Sequence, residues 1–258
     1  MTGLEGALRG RLAVGGKAFL PYVTGGLPEV DVTLLHELAE AGADAIEVGI
    51  PFSDPVMDGP VIQDASRLAL EAGATLEGVL DLVAAAAPAT PVAVMTYLNP
   101  VLAIGEDAFL ERAVTAGVAG VIVPDLPVDE GEEWTARCRA RDVASVYLAA
   151  PGTGPDRLAA IGKASSGFVY CVSTYGVTGR RAALSETSRQ VVEALRRLTD
   201  LPLLVGVGIS TPEQAAEACS FADGVVVGSA LMARLLDDDH DGALSLIRDF
   251  RAAVRESS

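Results

Sequence analysis

The chain has 258 residues, half of them hydrophobic, and a formal net charge of −16. That length fits one large α/β domain or two small ones. So acidic a chain argues against nucleic acid and anionic membranes as partners, because a phosphate backbone needs a basic footprint. A small phosphorylated ligand stays open, since backbone N–H groups can hold one. The three cysteines, Cys138, Cys171 and Cys219, are scattered and form no C-x-x-C. They point away from a disulfide framework or zinc cluster and toward a reducing cytoplasm. The first residues have no apolar signal core, and no 18-residue apolar run marks a membrane span.

In chain order, residues 3–12 read as a helix able to plug one end of a barrel. A first buried strand is expected at 18–23, followed by Thr24-Gly25-Gly26-Leu27-Pro28. No G-x-G-x-x-G stands there, which weakens a dinucleotide-binding reading. Leu34, Leu35, Leu38 and Ala41 form a helical stripe ending at Gly42. The second strand, 45–48, leads into Pro51-Phe52-Ser53-Asp54-Pro55-Val56-Met57-Asp58-Gly59-Pro60. Two helical patterns flank Gly73-Ala74-Thr75. Further strands are expected at 92–96, 120–123, 145–148, 167–172, 203–207 and 224–227, with Pro91 and Pro202 just ahead of two of them. Phe109, Leu110, Ala113 and Val114 mark one intervening helix, and Val191, Ala194, Leu195 and Leu198 another. Ser210-Thr211-Pro212-Glu213 reads as a capping box. The strands are continuously apolar, as strands buried on both faces are. Eight β-α units in this length predict an α/β fold: a single (β/α)8 TIM barrel over 1–258 with an extra N-terminal helix. A doubly wound open sheet is the runner-up.

In a barrel, active groups lie at the strand C-termini and in the loops after them. Glu47, at the end of the second strand, and Asp58, in the loop after it, pair as carboxylates for proton transfer. The pattern alone fits solvated loop acids equally well. Asp125, between Pro124 and Pro127, fits a turn-former as well as a ligand. Tyr22, Tyr97 and Tyr170 fit core aromatics or pocket walls. Glycines end three adjacent strands, in Gly176-Val177-Thr178-Gly179, Gly206-Val207-Gly208 and Gly228-Ser229, with Ser229 expected to cap a helix. Such ends suit a phosphate. Lys17 and Lys163 both precede strands, away from the mouth, so a Schiff base is not expected there. His36 and His240 form no metal cluster, and Asp237 to Asp241 reads as a solvated turn. The chemistry expected is cofactor-free acid–base work by carboxylates on a phosphorylated substrate.

These residues resemble the alpha subunit of tryptophan synthase over nearly the whole chain. The resemblance is carried by Pro21-Tyr22-Val23-Thr24, by the block from Glu47 to Gln63, and by Val123-Pro124-Asp125-Leu126-Pro127. Gly167-Phe168-Val169-Tyr170, Gly176-Val177-Thr178-Gly179 and Val205 to Ser210 carry it further. It implies a cytoplasmic barrel lyase of tryptophan biosynthesis, which cleaves indole-3-glycerol phosphate to indole and glyceraldehyde 3-phosphate. The implied partner is a beta subunit, in an alpha2-beta2 heterotetramer, that carries pyridoxal phosphate and consumes the indole. By the same resemblance Glu47 is the general acid–base and Asp58 holds the indole N–H. Tyr22, Tyr97, Asp125 and Tyr170 contact substrate; Gly179, Gly208, Gly228 and Ser229 cradle phosphate; Asp54 faces the partner. Thr178 would engage Asp58 when a lid at 176–184 closes. Leu27 stands where the family usually has Asp, and Val56-Met57 where Leu-Ala is commoner. A stand-alone indole-releasing lyase, a non-catalytic partner subunit and a two-acid sugar-phosphate isomerase are the alternatives.

Overall fold

Eight apolar runs become nine parallel strands in the computed structural model, which describes residues 1–172, 181–206 and 208–256, without the side chains of 181–185 and 256. The strands are β1 (Ala18–Thr24), β2 (Ile46–Gly49), β3 (Val92–Met95), β4 (Val118–Ile122), β5 (Ala144–Val146), β6 (Leu148–Ala149), β7 (Val169–Val172), β8 (Leu203–Gly206) and β9 (Gly224–Val227). Their order is β5-β4-β3-β2-β1-β9-β8-β7-β6. β5 and β6 are the two halves of the fifth expected strand, parted at Tyr147, so the two ends of that order meet and the sheet closes. The first half bonds to β4 and the second to β7. Tyr147 stands at the join: its buried phenol donates to the Gly131 carbonyl at 3.0 Å and meets Thr135 Oγ1 at 2.8 Å, while its carbonyl accepts the Tyr170 N–H of β7 at 3.0 Å. The expected eight-stranded barrel is therefore present, with one strand interrupted.

Parallel neighbours need crossovers, and α2 (Val32–Glu40), α3 (Pro60–Glu71), α4 (Leu76–Ala86), α5 (Leu98–Ile104), α6 (Glu106–Thr115), α7 (Glu132–Ala140), α8 (Pro155–Ala164), α9 (Arg181–Leu195) and α10 (Pro212–Cys219) supply them, with α1 (Gly3–Ala13) ahead of the first strand and α11 (Ser229–Leu236) and α12 (His240–Glu256) after the last. None of the described helices is long and apolar enough to cross a membrane. The capping box falls one residue later than expected: Pro212 occupies the first turn of α10, so Thr211 is the cap and Gln214, not Glu213, completes the box. The acidic run at 237–241 is likewise not all turn. Asp239 Oδ1 accepts the Gly242 N–H at 3.0 Å, and His240 opens α12, its Nε2 lying 2.8 Å from Glu37 Oε2.

The barrel's lower end is closed by α1. Leu4 and Leu8 are fully buried, and a Cβ at Gly120 or Gly167 would come within 2.7 Å or 3.1 Å of Leu4 Cδ2. Two glycines thus clear the space that the plug fills. At the same end Asp44 Oδ2 accepts the Phe19 N–H at 2.9 Å and Arg251 Nη1 at 3.0 Å. That bridge ties the start of β1 to the approach of β2 and to α12, whose Phe250 stacks on Phe19 with centroids 6.3 Å apart. The register it helps to fix pairs Tyr22 with Glu47 further up the barrel.

Candidate active site

All strands run the same way, so their C-terminal ends share one mouth. There the chain encloses a cavity that opens at the mouth. Ile62, Met95, Ile122, Leu148, Ile209 and Val226 form its apolar wall. Glu47, Asp58, Tyr22 and Tyr170 enter it from three sides, and Gly208, Gly228 and Ser229 form the remaining edge.

Glu47 is in the middle of β2 and is 1% exposed. Neither carboxyl oxygen has a hydrogen-bond partner among the described residues. A buried acid without a donor holds its proton. Burial, helped by the nearby Asp58 charge, lifts its pKa to about 8. The strand positions this acid with two tyrosines. Tyr22, beside it on β1, lies across Gly49, and Tyr170 lies across Gly206. A side chain at either glycine would collide with the phenol oxygen. Tyr22 Oη meets Thr24 Oγ1 at 3.2 Å, and its burial raises its pKa well above the usual value.

Asp58 hangs from a turn in which its N–H donates to the Pro55 carbonyl at 3.0 Å. Gln63 Nε2 donates to its carbonyl at 2.8 Å, and Gly59 with Pro60 starts α3 directly after it. Tyr97 stands behind the loop. Its hydroxyl accepts the Met57 N–H at 2.9 Å and donates to Asp58 Oδ2 at 3.1 Å, while its ring stacks on Phe52 at 5.2 Å. Burial raises the Asp58 pKa to about 6, and the Tyr97 hydrogen bond opposes that rise. Near pH 7 the two acids therefore rest in opposite states, Glu47 protonated and Asp58 ionised, as paired acid–base groups require. Tyr97→Phe is expected to move the Asp58 titration above pH 6 while leaving the fold intact. Carbon-detected NMR of the labelled carboxyl in both forms reads the shift, and an unmoved midpoint would refute the role.

The third edge is backbone. Gly228 caps α11 without a side-chain hydrogen bond, and Ser229 is the first helical residue rather than the expected cap. The N–H groups of that first turn have no acceptor in their own helix, and they carry the positive end of its dipole. Gly208 lies beside them with φ of +85°, a conformation that suits glycine.

The other sequence candidates are placed differently. Asp125 is exposed and does not line this cavity; its Oδ1 accepts the Leu98 N–H at 2.9 Å and so starts α5. Tyr97 reaches the site through Asp58 rather than through the wall. Asp54 is exposed on the same loop, hydrogen-bonded to Ser53. Leu27 is buried in the core, 5% exposed. Thr178, Gly179 and most of the expected lid lie outside the described residues. Lys17 bonds the Ala222 carbonyl at 2.8 Å, at the opposite end of the barrel. Among the described residues no cluster of three or more His, Cys, Asp or Glu is placed to hold a metal ion. The apolar wall is what the sequence reading missed. Strand alternation turns Met95, Ile122 and Val226 inward, but the outward residues of these strands are apolar too, so no signal in the sequence marks the wall.

A family model described as "Tryptophan synthase alpha chain" matches residues 10–257. A tryptophan synthase alpha chain of Carboxydothermus hydrogenoformans is 49% identical over 222 residues, covering 84% of this chain and 83% of that protein. One from Microcystis aeruginosa is 39% identical over 262 residues, covering 100% and 99%. Among solved structures, a tryptophan synthase of Mycobacterium tuberculosis in space group F222 superposes with a TM-score of 0.91 at 38% identity, covering 98% of both chains. A tryptophan synthase subunit alpha from Legionella pneumophila gives 0.89 at 35% identity, with 99% of each covered.

Proposed function

The chain belongs to the tryptophan synthase alpha chain family, and on that premise we propose that it cleaves indole-3-glycerol phosphate by carboxylate acid–base catalysis, with Glu47 moving the proton and Asp58 holding the ring nitrogen. The activity is that of a carbon–carbon lyase. The observation that carries the mechanism is the buried Glu47 carboxyl, without a hydrogen-bond partner among the described residues, which shares one cavity with the Asp58 carboxyl.

The steps balance without a co-reactant. Glu47 gives its proton to indole C3, the ring carbon at the bond to be broken. The ring becomes a cation with its charge centred on the nitrogen, and the Asp58 carboxylate accepts the N–H and offsets that charge. Glu47, now a carboxylate, takes the proton of the adjacent glycerol hydroxyl. The O–H electrons form the aldehyde C=O, the C–C pair returns to the ring, and indole and glyceraldehyde 3-phosphate result. Glu47 ends as it began. Each proton transfer assisted by a placed group contributes about 10²–10⁴-fold. The phosphate is read against the first turn of α11 beside Gly208, where neutral donors hold an anion without adding a basic patch to an acidic protein. Gly179 and Thr178 belong to this reading as further contacts.

Asp54, on the exposed rim of the mouth, is assigned to the surface that meets a beta subunit, and the compartment is the cytoplasm. Indole release from indole-3-glycerol phosphate, measured with the chain alone and with a beta subunit, tests the reading. Release that the partner accelerates supports it. Full-speed release alone favours a stand-alone lyase, and no release in either arm refutes the lyase assignment.

A further inference from the structure

The cavity wall beside Asp58 is built by the residue that precedes it. The Met57 N–H and the Asp58 carboxylate are both bonded to the same Tyr97 hydroxyl, at 2.9 Å and 3.1 Å. That shared anchor fixes the backbone of one and the side chain of the other. Val56, one residue earlier, is 77% exposed, whereas Met57 lines the cavity. Ile62 continues the same wall from within α3. A methionine here is a movable wall, since its unbranched thioether has three rotatable bonds.

We propose that Met57 is a specificity-determining residue: it walls the N–H edge of the bound indole ring and sets which ring substituents are tolerated in cleavage. This rests on the reading of Asp58 as the acceptor of the indole N–H. Two carbons, C2 and C7, flank that nitrogen. C2 adjoins C3, which Glu47 must reach, so the C2 edge is turned toward β2. C7 is left beside the loop that carries Asp58, where Met57 stands. One extra methyl in an apolar pocket is discriminated by about 10–200-fold. A wall able to change rotamer falls at the lower end of that range.

The test measures kcat/KM for unsubstituted, 5-methyl and 7-methyl indole-3-glycerol phosphate with the full chain and its beta subunit. Met57→Ala removes three heavy atoms from the wall. It is expected to raise the ratio of the 7-methyl to the unsubstituted substrate by about tenfold, with the 5-methyl ratio changed less than about threefold. Met57→Leu, of similar volume, should keep the wild-type ranking. Competitive binding of 7-methylindole against 5-methylindole makes the same comparison without turnover. An unchanged 7-methyl ratio in Met57→Ala, or an equal fall for all three substrates, would overturn the proposal, the latter by showing that Met57 only orders its loop. Failure of the wild type on the unsubstituted substrate would instead remove the lyase reading on which the proposal stands.

Discussion

Glu47→Gln is expected to lower the rate of cleavage by 10³-fold or more while changing KM by less than about threefold. The amide keeps the shape and hydrogen-bonding reach of the acid but cannot give up a proton at neutral pH, so both transfers lose their agent. Two transfers assisted by about 10²–10⁴-fold each would multiply to about 10⁴-fold or more, so 10³-fold lies below the smallest loss expected if both count. Binding is spared because the amide can keep the hydrogen bond to the glycerol hydroxyl that the acid makes in the proposed mechanism. A transition-state contribution lost with KM kept is the signature of a group that acts on reacting atoms. Steady-state kinetics of the purified variant decides it, and turnover within tenfold of wild type would remove Glu47 from the mechanism. The same substitution has a second readout. In the fold the Glu47 pKa rises from 4.5 to about 8. Between those values the folded state holds a proton that the unfolded chain has released. Wild-type stability therefore falls as pH rises from 4.5 through 8 and levels off above. The full window corresponds to roughly 5 kcal/mol as an upper limit. Glu47→Gln should remove the part of that slope above about pH 6, below which the raised Asp58 contributes a fall of its own, and should unfold at a higher urea concentration than wild type at pH 8.5. The acid is thus kept at the expense of stability.

What the sequence made legible follows the range of each interaction. The helix ending at Gly42 is local: its stripe of Leu34, Leu35 and Leu38 is buried as the spacing requires, and Gly42 follows with φ of +99°. Glu47 was only half legible: the apolar run around it marked the position, but the pattern fitted a solvated acid as well, and the closed barrel is what buries it. The roles of the tyrosines were not. Tyr22 and Tyr170 line the cavity, while Tyr97 stands behind Asp58, and all three follow or occupy apolar strands with nothing local to separate them. What separates them is non-local: Gly49 and Gly206, on neighbouring strands, clear the space over the first two rings. The continuous hydrophobicity that announces a parallel sheet hides which alternate residues face inward, because both faces are buried. The cavity wall of Met95, Ile122 and Val226 was therefore invisible until the register was known. The split of the fifth strand comes from its two halves pairing with different neighbours, β4 and β7, and no pattern within 145–148 carries that.

Ser229→Asp should raise KM for indole-3-glycerol phosphate a hundredfold or more without weakening the fold. Ser229 is the first helical residue of α11 and lines the cavity. A carboxylate there is favourable to the helix by about 0.3–1 kcal/mol, because it meets the positive end of the dipole and the unpaired first N–H groups. A phosphate bound at the same end would use the same donors. A single negative charge held about 5 Å from a phosphate dianion, at an effective dielectric of about 20, costs roughly 7 kcal/mol before screening. Half of that still exceeds a hundredfold in affinity. Ser229→Ala removes one hydroxyl, worth about 0.5–1.5 kcal/mol, so its KM should rise by about tenfold at most. The two effects of the aspartate have opposite signs, and that makes the test selective. A variant that merely damaged the barrel would melt earlier and lose binding together. The aspartate variant should instead melt at the wild-type temperature or above it while its KM climbs. Thermal unfolding and kinetics on one preparation suffice to see this. A KM within threefold of wild type would mean that the substrate's phosphate is held elsewhere than at the start of α11.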